Sequence, residues 1–385
     1  MRRPPFHAVI VGNPECPRIE RFQAAMVHAG LSPATIVAYR DLIAGRVGLE
    51  QFIREGTVLR IESPGRDFAV ERAILAFGAG VEDDDGPTRL LRVEAEQLVP
   101  DKGRIWCPRQ WYLGFRETLR LIDRQRAACP SHVTTSPTAA IEVMFDKVRC
   151  HDRLTRAAVS CPRGLGPVRS YEELRHRMVE AGIGRVFVKL AHGSSASGVV
   201  AFAADGRRQL AITTVEMVHE GGEPRLYNSR AIRRVENHRE VAALIDALAR
   251  ERVQVERWVP KAGIAGHVFD LRVLVIAGRA EHVVVRMSRG PMTNLHLKNR
   301  RGDPAAVKAR MLPEAWAAAL GTCEAAAAQF PGCLHAGVDL LITPHFRHHA
   351  VLEVNAFGDL LHGATHRGVD PYSAEVAAML AREAA

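Results

Sequence analysis

Gly337-Val-Asp-Leu-Leu-Ile-Thr343, Pro344-His-Phe-Arg-His-His349 and Ala350-Val-Leu-Glu-Val-Asn355 read as a strand, a polar loop opened by proline, and a returning strand. In such a hairpin Asp339 falls opposite Glu353, or within one residue of it. Glu353 and Asn355 are two apart and therefore share a face. Asp339, Glu353 and Asn355 thus bring three oxygen donors to one patch between apolar strands. Hard divalent cations such as Mg²⁺ take that donor set, usually with substrate phosphates completing the shell. A sheet with a few polar residues on its wet face would read the same way.

Upstream of the hairpin, Val186-Phe-Val-Lys-Leu190 reads as a strand. Gly193-Ser-Ser-Ala-Ser-Gly198 follows it, and then a second strand, Val199-Val-Ala-Phe202. A loop of small residues between strands exposes backbone N–H groups that can wrap phosphate oxygens, and Lys189 ends the strand that feeds it. It is not a Walker A loop, because Val199-Val200 follows Gly198. The plain alternative is a Gly/Ser hairpin beside a surface lysine. Lys147 opens a helix after the Ser/Pro-containing stretch 131–138, a candidate domain junction. Asp270-Leu271-Arg272 and Arg286 lie on two strands around Gly278 and offer forked donors for phosphate or carboxylate, or ordinary cross-strand pairing. Thr293-Asn294-Leu295-His296, then Lys298 and Arg300-Arg301, form a polar basic loop.

The remaining chain bounds the answer. Its 385 residues suffice for two or three domains, and 47% hydrophobic with 25% charged content is ordinary for a globular protein. The formal charge of +9 favours anionic partners. It is spread as arginine with no basic tail and no aromatic-interleaved block, so nucleic acid is not the expected partner. The seven cysteines are scattered without a C-x-x-C pair, which suits a reducing cytoplasm and opposes a disulfide frame or zinc knuckle. His345, His348 and His349 lack a cysteine or carboxylate partner at zinc spacing. No signal peptide is evident and no apolar run is long enough to span a membrane. His7 to Gly12, Arg18 to Ala29 and Ile36 to Tyr39 read as a βαβ opening, Rossmann-like but without G-x-G-x-x-G. Arg109 to Phe115 reads as an aromatic anchor leading into a helix that starts at Thr118, and with Arg66-Asp67 it is the N-terminal domain's candidate contact for an acceptor.

Seven stretches in order resemble the ATP-grasp superfamily, nearest to its glutathione synthetase-like branch with the ligases that add glutamate to a ribosomal protein. They are Phe145-Asp-Lys147, Val186 to Val199, Val253-Gln-Val-Glu-Arg-Trp-Val259, Asp270-Leu-Arg272, Thr293-Asn-Leu-His296, Ala336-Gly-Val-Asp-Leu340 and Leu352-Glu-Val-Asn355. The resemblance implies an α/β chain, α+β in its grasp domains. An N-terminal Rossmann-like domain would span 1–135, a central grasp subdomain 136–255 and a C-terminal one 256–385. It implies ATP and Mg²⁺ as cofactors, with Mn²⁺ as a substitute. Lys147 and Lys189 would contact phosphates, and the loop of Gly193, Ser194, Ser195, Ser197 and Gly198 would close over them. Glu256, Arg257, Trp258 and Val259 would flank adenine, largely through backbone groups. Arg272 and Arg286 would stabilise the transferring phosphoryl group, Asp339, Glu353 and Asn355 would hold the metal, and Asn294 and His296 would face the acceptor.

The chain departs from the family pattern at His192, where a glycine or acidic residue is common. It departs again at Arg300-Arg-Gly-Asp303 and at Ala356-Phe-Gly358. The implied activity is a carboxylate–amine ligase acting through an acyl phosphate on unnamed acid and amine substrates, a peptide or protein among the options, in a chain that could form a homo-oligomer. Two alternatives stand beside it: a grasp enzyme with a non-amide product, and an ATP-binding regulatory or partner-binding protein without turnover.

Overall fold

A computed structural model of the chain describes residues 6–194, 196–206, 208–220, 223–358, 361 and 363–384. The first elements are β1 (Ala8–Gly12), α1 (Pro17–His28), β2 (Thr35–Ala38), α2 (Tyr39–Ile43), β3 (Thr57–Ile61), α3 (Phe68–Phe77), α4 (Arg92–Glu96), α5 (Pro108–Ala127) and β4 (His132–Thr134). They build a four-stranded parallel sheet in the order β2-β1-β3-β4. β1 and β3 are buried on both faces, which is why β1 reads as an unbroken apolar run, while β3 carries Arg60 inward. The expected βαβ opening is present. The stretch 131–138 is in part β4, the fourth strand of this sheet. The aromatic stretch 109–115 is the first half of α5 and does not precede it, because Pro108 supplies the pre-set φ of a first helical turn.

α6 (Thr138–Met144) and α7 (Lys147–Arg156) lead into a second sheet. Its elements are β5 (Gly164–Gly166), α8 (Tyr171–Glu180), β6 (Arg185–Leu190), β7 (Val199–Asp205), β8 (Arg208–Glu220), β9 (Glu223–Val235), α9 (His238–Ala249) and β10 (Val253–Arg257). The order is β5-β10-β6-β7-β8-β9, and α8 and α9 cover one face through Leu174, Met178, Leu244, Ile245 and Leu248. The third sheet comprises β11 (Gly263–Ile264), β12 (His267–Ile276), β13 (Arg279–Ser288), β14 (Arg300–Gly302), β15 (His335–Ile342) and β16 (His349–Asn355), with α10 (Pro304–Lys308) and α11 (Pro313–Ala328) between β14 and β15. Its main order is β14-β13-β12-β15-β16, with β11 pairing β12.

The last helix, α12 (Pro371–Ala384), does not stay with the third sheet alone. Tyr372, Val376 and Met379 pack with Ile10, Ile19 and Phe22 of the first. Beneath them Arg60 is almost wholly buried and bonds Glu62 at 2.9 Å and Glu375 of α12 at 2.5 Å. A buried guanidinium is tolerated only when paired in this way. No helix among the described residues is long and apolar enough to cross a membrane.

Candidate functional site

The β15–β16 hairpin has the register expected of it: Asp339 pairs with Glu353, and Gly337 with Asn355. β12 lies on the other side of β15 and sets Arg272 opposite Asp339, while β13 sets Arg286 opposite Asp270. Since facing residues in a sheet share a side, acids and bases fall into contact across β13, β12, β15 and β16. Arg272 Nε donates to Asp339 Oδ1 at 2.5 Å, and Arg286 Nη2 lies 3.1 Å from Asp339 Oδ2. Arg286 Nε donates to Asp270 Oδ1 at 2.7 Å.

Asp270 is the hub of this row. It also accepts from Lys261 Nζ at 2.9 Å and from the Thr293 hydroxyl. Burial alone would push its carboxyl pKa up, but Arg286, Lys261 and Thr293 outweigh burial and hold it well below the usual range. Arg286 moves in the opposite direction: burial is overcome by Asp270 and Asp339, and its pKa is raised. Lys261 is lowered, because burial exceeds what Asp270 returns.

The second sheet supplies the opposing wall. Lys189 bonds Glu256 across the β6–β10 pair. Its pKa is raised, burial being outweighed by Glu256, Glu353 and Asp339. Lys147 begins α7, which Asp146 caps through Val148 N at 2.9 Å and Arg149 N at 3.1 Å. The Lys147 ammonium donates to Gly193 O at 2.6 Å and to Glu353 Oε1 at 3.0 Å. Burial pushes Glu353 up, yet Lys147 and Lys189 bring it down below its ordinary value.

The small-residue loop sits over this wall. Ser197 N donates to Ser194 O at 2.8 Å and Leu190 N to Gly198 O at 3.1 Å, giving a compact turn. Gly198 has φ +66°, and a Cβ there would run into the Leu190 side chain, so the position favours glycine.

These walls enclose a cavity of about 650 Å³. Lys147, Lys189, Gly193, Ser194, Ser197, Glu256, Arg257, Val259, Arg272, Arg286, Asn294, His296, Asp339, Glu353 and Asn355 all line it. Two expected site residues do not. Trp258 turns its ring onto Phe187, 5.5 Å between centroids, in an apolar cluster with Met292 and Leu297. Gly198 shapes the loop from behind. Ser195 lies outside the described residues.

Sequence reasoning missed Lys261, which lies in no recognisable motif, and of the residues that the first domain contributes it named only Arg66. Arg18, Ser63, Gly65, Arg66 and Glu71 close the cavity from that side. They sit beyond the carboxyl ends of β1 and β3, where open parallel sheets place their ligand crevices. The loop 63–66 is held by buried Asn13, whose Nδ2 donates to Pro64 O at 2.7 Å and Gly65 O at 3.2 Å. Arg109, by contrast, bonds Asp83 and lines no part of the cavity.

The donor set fits a hard cation only jointly with a ligand. Among the described residues no group of three His, Cys, Asp or Glu side chains could hold a metal. Asp339 and Glu353 supply two carboxylates. Asn355 gives its Nδ2 to Gly337 O at 3.3 Å, which leaves its side-chain oxygen as the third donor. An all-oxygen, incomplete set of this kind suits an octahedral ion that draws its remaining ligands from water and phosphate. A polyanion meeting Lys147, Lys189, Arg272 and Arg286 would find its charge opposed on two walls at once.

No family model matches the chain, and no curated protein matches it. Solved structures do. The ATP-grasp ligase PsnB, complexed with precursor peptide PsnA2 and AMPPNP, is 15% identical with a TM-score of 0.51, over 99% of each chain. D-cycloserine synthetase DcsG is 13% identical with a TM-score of 0.55, over 97% of this chain and 99% of that one. The macrocyclase MdnC from Microcystis aeruginosa MRC, bound with precursor peptide MdnA, is 14% identical with a TM-score of 0.52, over 97% and 99%. At such identities the likeness carries architecture and not chemistry. The chain has the ATP-grasp fold, from its first sheet to its last helix.

Proposed function

We propose that this ATP-grasp chain is an ATP-dependent ligase that joins a carboxylate to an amine through an acyl phosphate. The observation that carries the proposal is the convergence, in one cavity, of Lys147, Lys189, Arg272 and Arg286 with the oxygen donors Asp339, Glu353 and Asn355. Phosphoryl transfer requires little of a protein beyond positioning and charge neutralisation, and this set supplies both. PsnB binds AMPPNP in the same fold, and PsnB and MdnC bind precursor peptides, which supports ATP and a peptide-like substrate for this chain.

In this reading Lys147 and Lys189 bind the phosphate chain under the Gly193–Gly198 loop. Glu256, Arg257 and Val259 flank the base, with Phe187 as an apolar face. Mg²⁺, held by Asp339, Glu353 and Asn355, supplies charge neutralisation on the phosphates when bound. A substrate carboxylate oxygen attacks the γ-phosphorus, the bond to the β-γ bridging oxygen breaks, and ADP leaves. Arg272 and Arg286, fixed by Asp339 and Asp270, face the phosphoryl oxygens during transfer. An amine nitrogen then attacks the acyl carbon, phosphate leaves, and the amine proton is released. Asn294 and His296 lie on the acceptor side of the cavity with the first-sheet residues Arg18 and Arg66.

The test is calorimetric titration with Mg-AMPPNP, followed by ADP release over a panel of acids and amines with hydroxylamine as a trap. Saturable binding and a hydroxamate product support the ligase. Binding without any ADP under the whole panel supports a nucleotide-binding regulator. ADP formation without a hydroxamate or an amide supports a grasp enzyme with another product. Failure to bind Mg-AMPPNP sinks the reading.

A further inference from the structure

His192 stands at the base of the small-residue loop, where the family pattern has glycine or an acidic residue. Its side chain has no exposed surface. One face of the imidazole stacks on Tyr112 of α5, with centroids 4.0 Å apart and planes 9° from parallel. Nε2 lies 3.5 Å from Asp146 Oδ2. Among the described residues neither ring nitrogen of His192 has a hydrogen-bond partner, and Asp146 Oδ2 has none either. Buried polar atoms in native proteins are nearly always satisfied, and an unsatisfied pair facing each other calls for a reason.

The surroundings suggest one. Asp146 caps α7 with its other oxygen, and the next residue, Lys147, bonds Gly193 O, one residue past His192. Lys147 N donates to Ala191 O at 3.0 Å, and Ala191 N to Arg252 O at 3.0 Å. Arg252 places Nη2 3.7 Å from Asp146 Oδ2 and Nη1 3.0 Å from Asp85. Tyr112 is held in place by Arg149 Nη1, 3.0 Å from its hydroxyl. The loop base, the phosphate-facing lysine and a helix of the first domain therefore meet at a single imidazole.

We propose that His192 is the positioning residue of the loop, seated between Tyr112 and Asp146, so that the 193–198 turn and Lys147 are presented to the nucleotide as one unit referenced to the first domain. The proposal rests on the phosphate-binding reading of that loop. Burial holds the imidazole below its ordinary pKa, with Asp146 pulling the other way and Arg252 and Lys147 reinforcing burial. The ring is thus neutral at neutral pH, with one N–H for Asp146. A movement of a few tenths of an ångström at the loop base closes the 3.5 Å gap to hydrogen-bonding distance.

Three variants separate stack from hydrogen bond. His192→Phe keeps the aromatic face and loses the donor, His192→Gln keeps a donor, and Tyr112→Leu removes the stacked partner. The first readout needs no nucleotide: amide hydrogen exchange at Gly193 and Ser197, whose N–H groups close the turn. His192→Phe, which loses the hydrogen bond, and His192→Gln and Tyr112→Leu, which lose the stack, should each speed that exchange by about tenfold, the scale of one lost interaction. The second readout is Mg-AMPPNP affinity, which should fall in the same variants. Wild-type exchange in His192→Phe, or in either stack variant, overturns the seat. If His192→Phe does not fold, the two stack variants decide the same point. Wild-type protein that binds no Mg-AMPPNP overturns the phosphate reading alone, and the exchange data still decide the seat.

Discussion

Asp270, buried, and Glu353, half-buried, each stand beside two cations, and they do different work. Asp270 neutralises Arg286 and Lys261 inside the third sheet at 2% exposure. Asp270→Asn leaves Lys261 without a carboxylate and Arg286 with Asp339 alone, and the expected cost is about 3–5 kcal/mol of stability, read from urea unfolding. Its lowered pKa fixes the sign of the pH effect: its contribution is complete above the unfolded value near 4 and is lost as pH falls below it. Glu353 faces the cavity, and its partner Lys147 keeps Gly193 O when the carboxylate is gone. Glu353→Gln should therefore leave the melting temperature near wild type while ATP turnover falls by at least about a hundredfold. A Glu353→Gln protein with normal turnover would remove Glu353 from the metal site. Both residues were visible in the sequence, Glu353 through its hairpin and Asp270 only as a partner for an arginine. The identity of that arginine, Arg286, follows from strand register. Lys261 was invisible because no periodicity marks a lysine that folds back nine residues along the chain onto Asp270.

At the scale of elements, α3 and α5 cross with almost no space between their backbones. A Cβ on Gly114 would come within 1.8 Å of Ile74 O, and one on Gly78 within 2.2 Å of Gln110 O. Gly114→Ala forces the helices apart, and a loss of about 1–3 kcal/mol is expected, measured by chemical unfolding with the helix content checked by circular dichroism. Gly114 lies inside Arg109 to Phe115, the stretch read as an aromatic anchor. Its glycine was the clue to a helix crossing, and it carried no helical signal because glycine has none. The hairpins fared differently. β12–β13 turns at Gly278 and β15–β16 at 344–348, as their alternating patterns and turn residues required. β3 escaped notice because Arg60 interrupts its apolar run, and β4 because the Ser and Pro residues around it read as a domain junction.

Across the whole molecule, the first sheet depends on the last helix. Arg60 is fixed by Glu62 and by Glu375 of α12, while Arg18, which reaches the cavity, shares Glu62 at 2.9 Å. Glu375→Ala leaves Arg60 buried with half its partners, and a loss of about 3–5 kcal/mol is expected, with proteolysis of the first domain beginning before that of the third sheet. The same region makes stability sensitive to mild acid. His335 is buried close to Glu375, and burial lowers its pKa, with Arg60 and Arg18 adding to that and Glu375 and Glu62 opposing. His192 is lowered too. Each is neutral in the folded state at pH values where the unfolded chain binds a proton. Their contribution is present above the unfolded value near 6.5 and is lost as pH falls below it. The melting temperature should drop between pH 7.5 and 5.5, and by less in His335→Gln. An unchanged melting temperature over that interval would contradict the assignment.

The sequence by itself determined the strands and helices around the cavity, the Asp339–Glu353 register and the glycine-dependent loop. Each of these follows from spacing within a few residues, where apolar periodicity, turn residues and side-chain alternation act directly on the backbone. The tertiary structure alone decided which charges meet. Lys147 reaches Glu353 across 206 residues and Arg60 reaches Glu375 across 315. Pairings at such separation arise from sheet order and helix docking, so no local pattern announces them. The same holds for Trp258, turned from the cavity by its packing on Phe187, and for the first sheet, which closes the site through Arg18 and Arg66 because β1 and β3 end there.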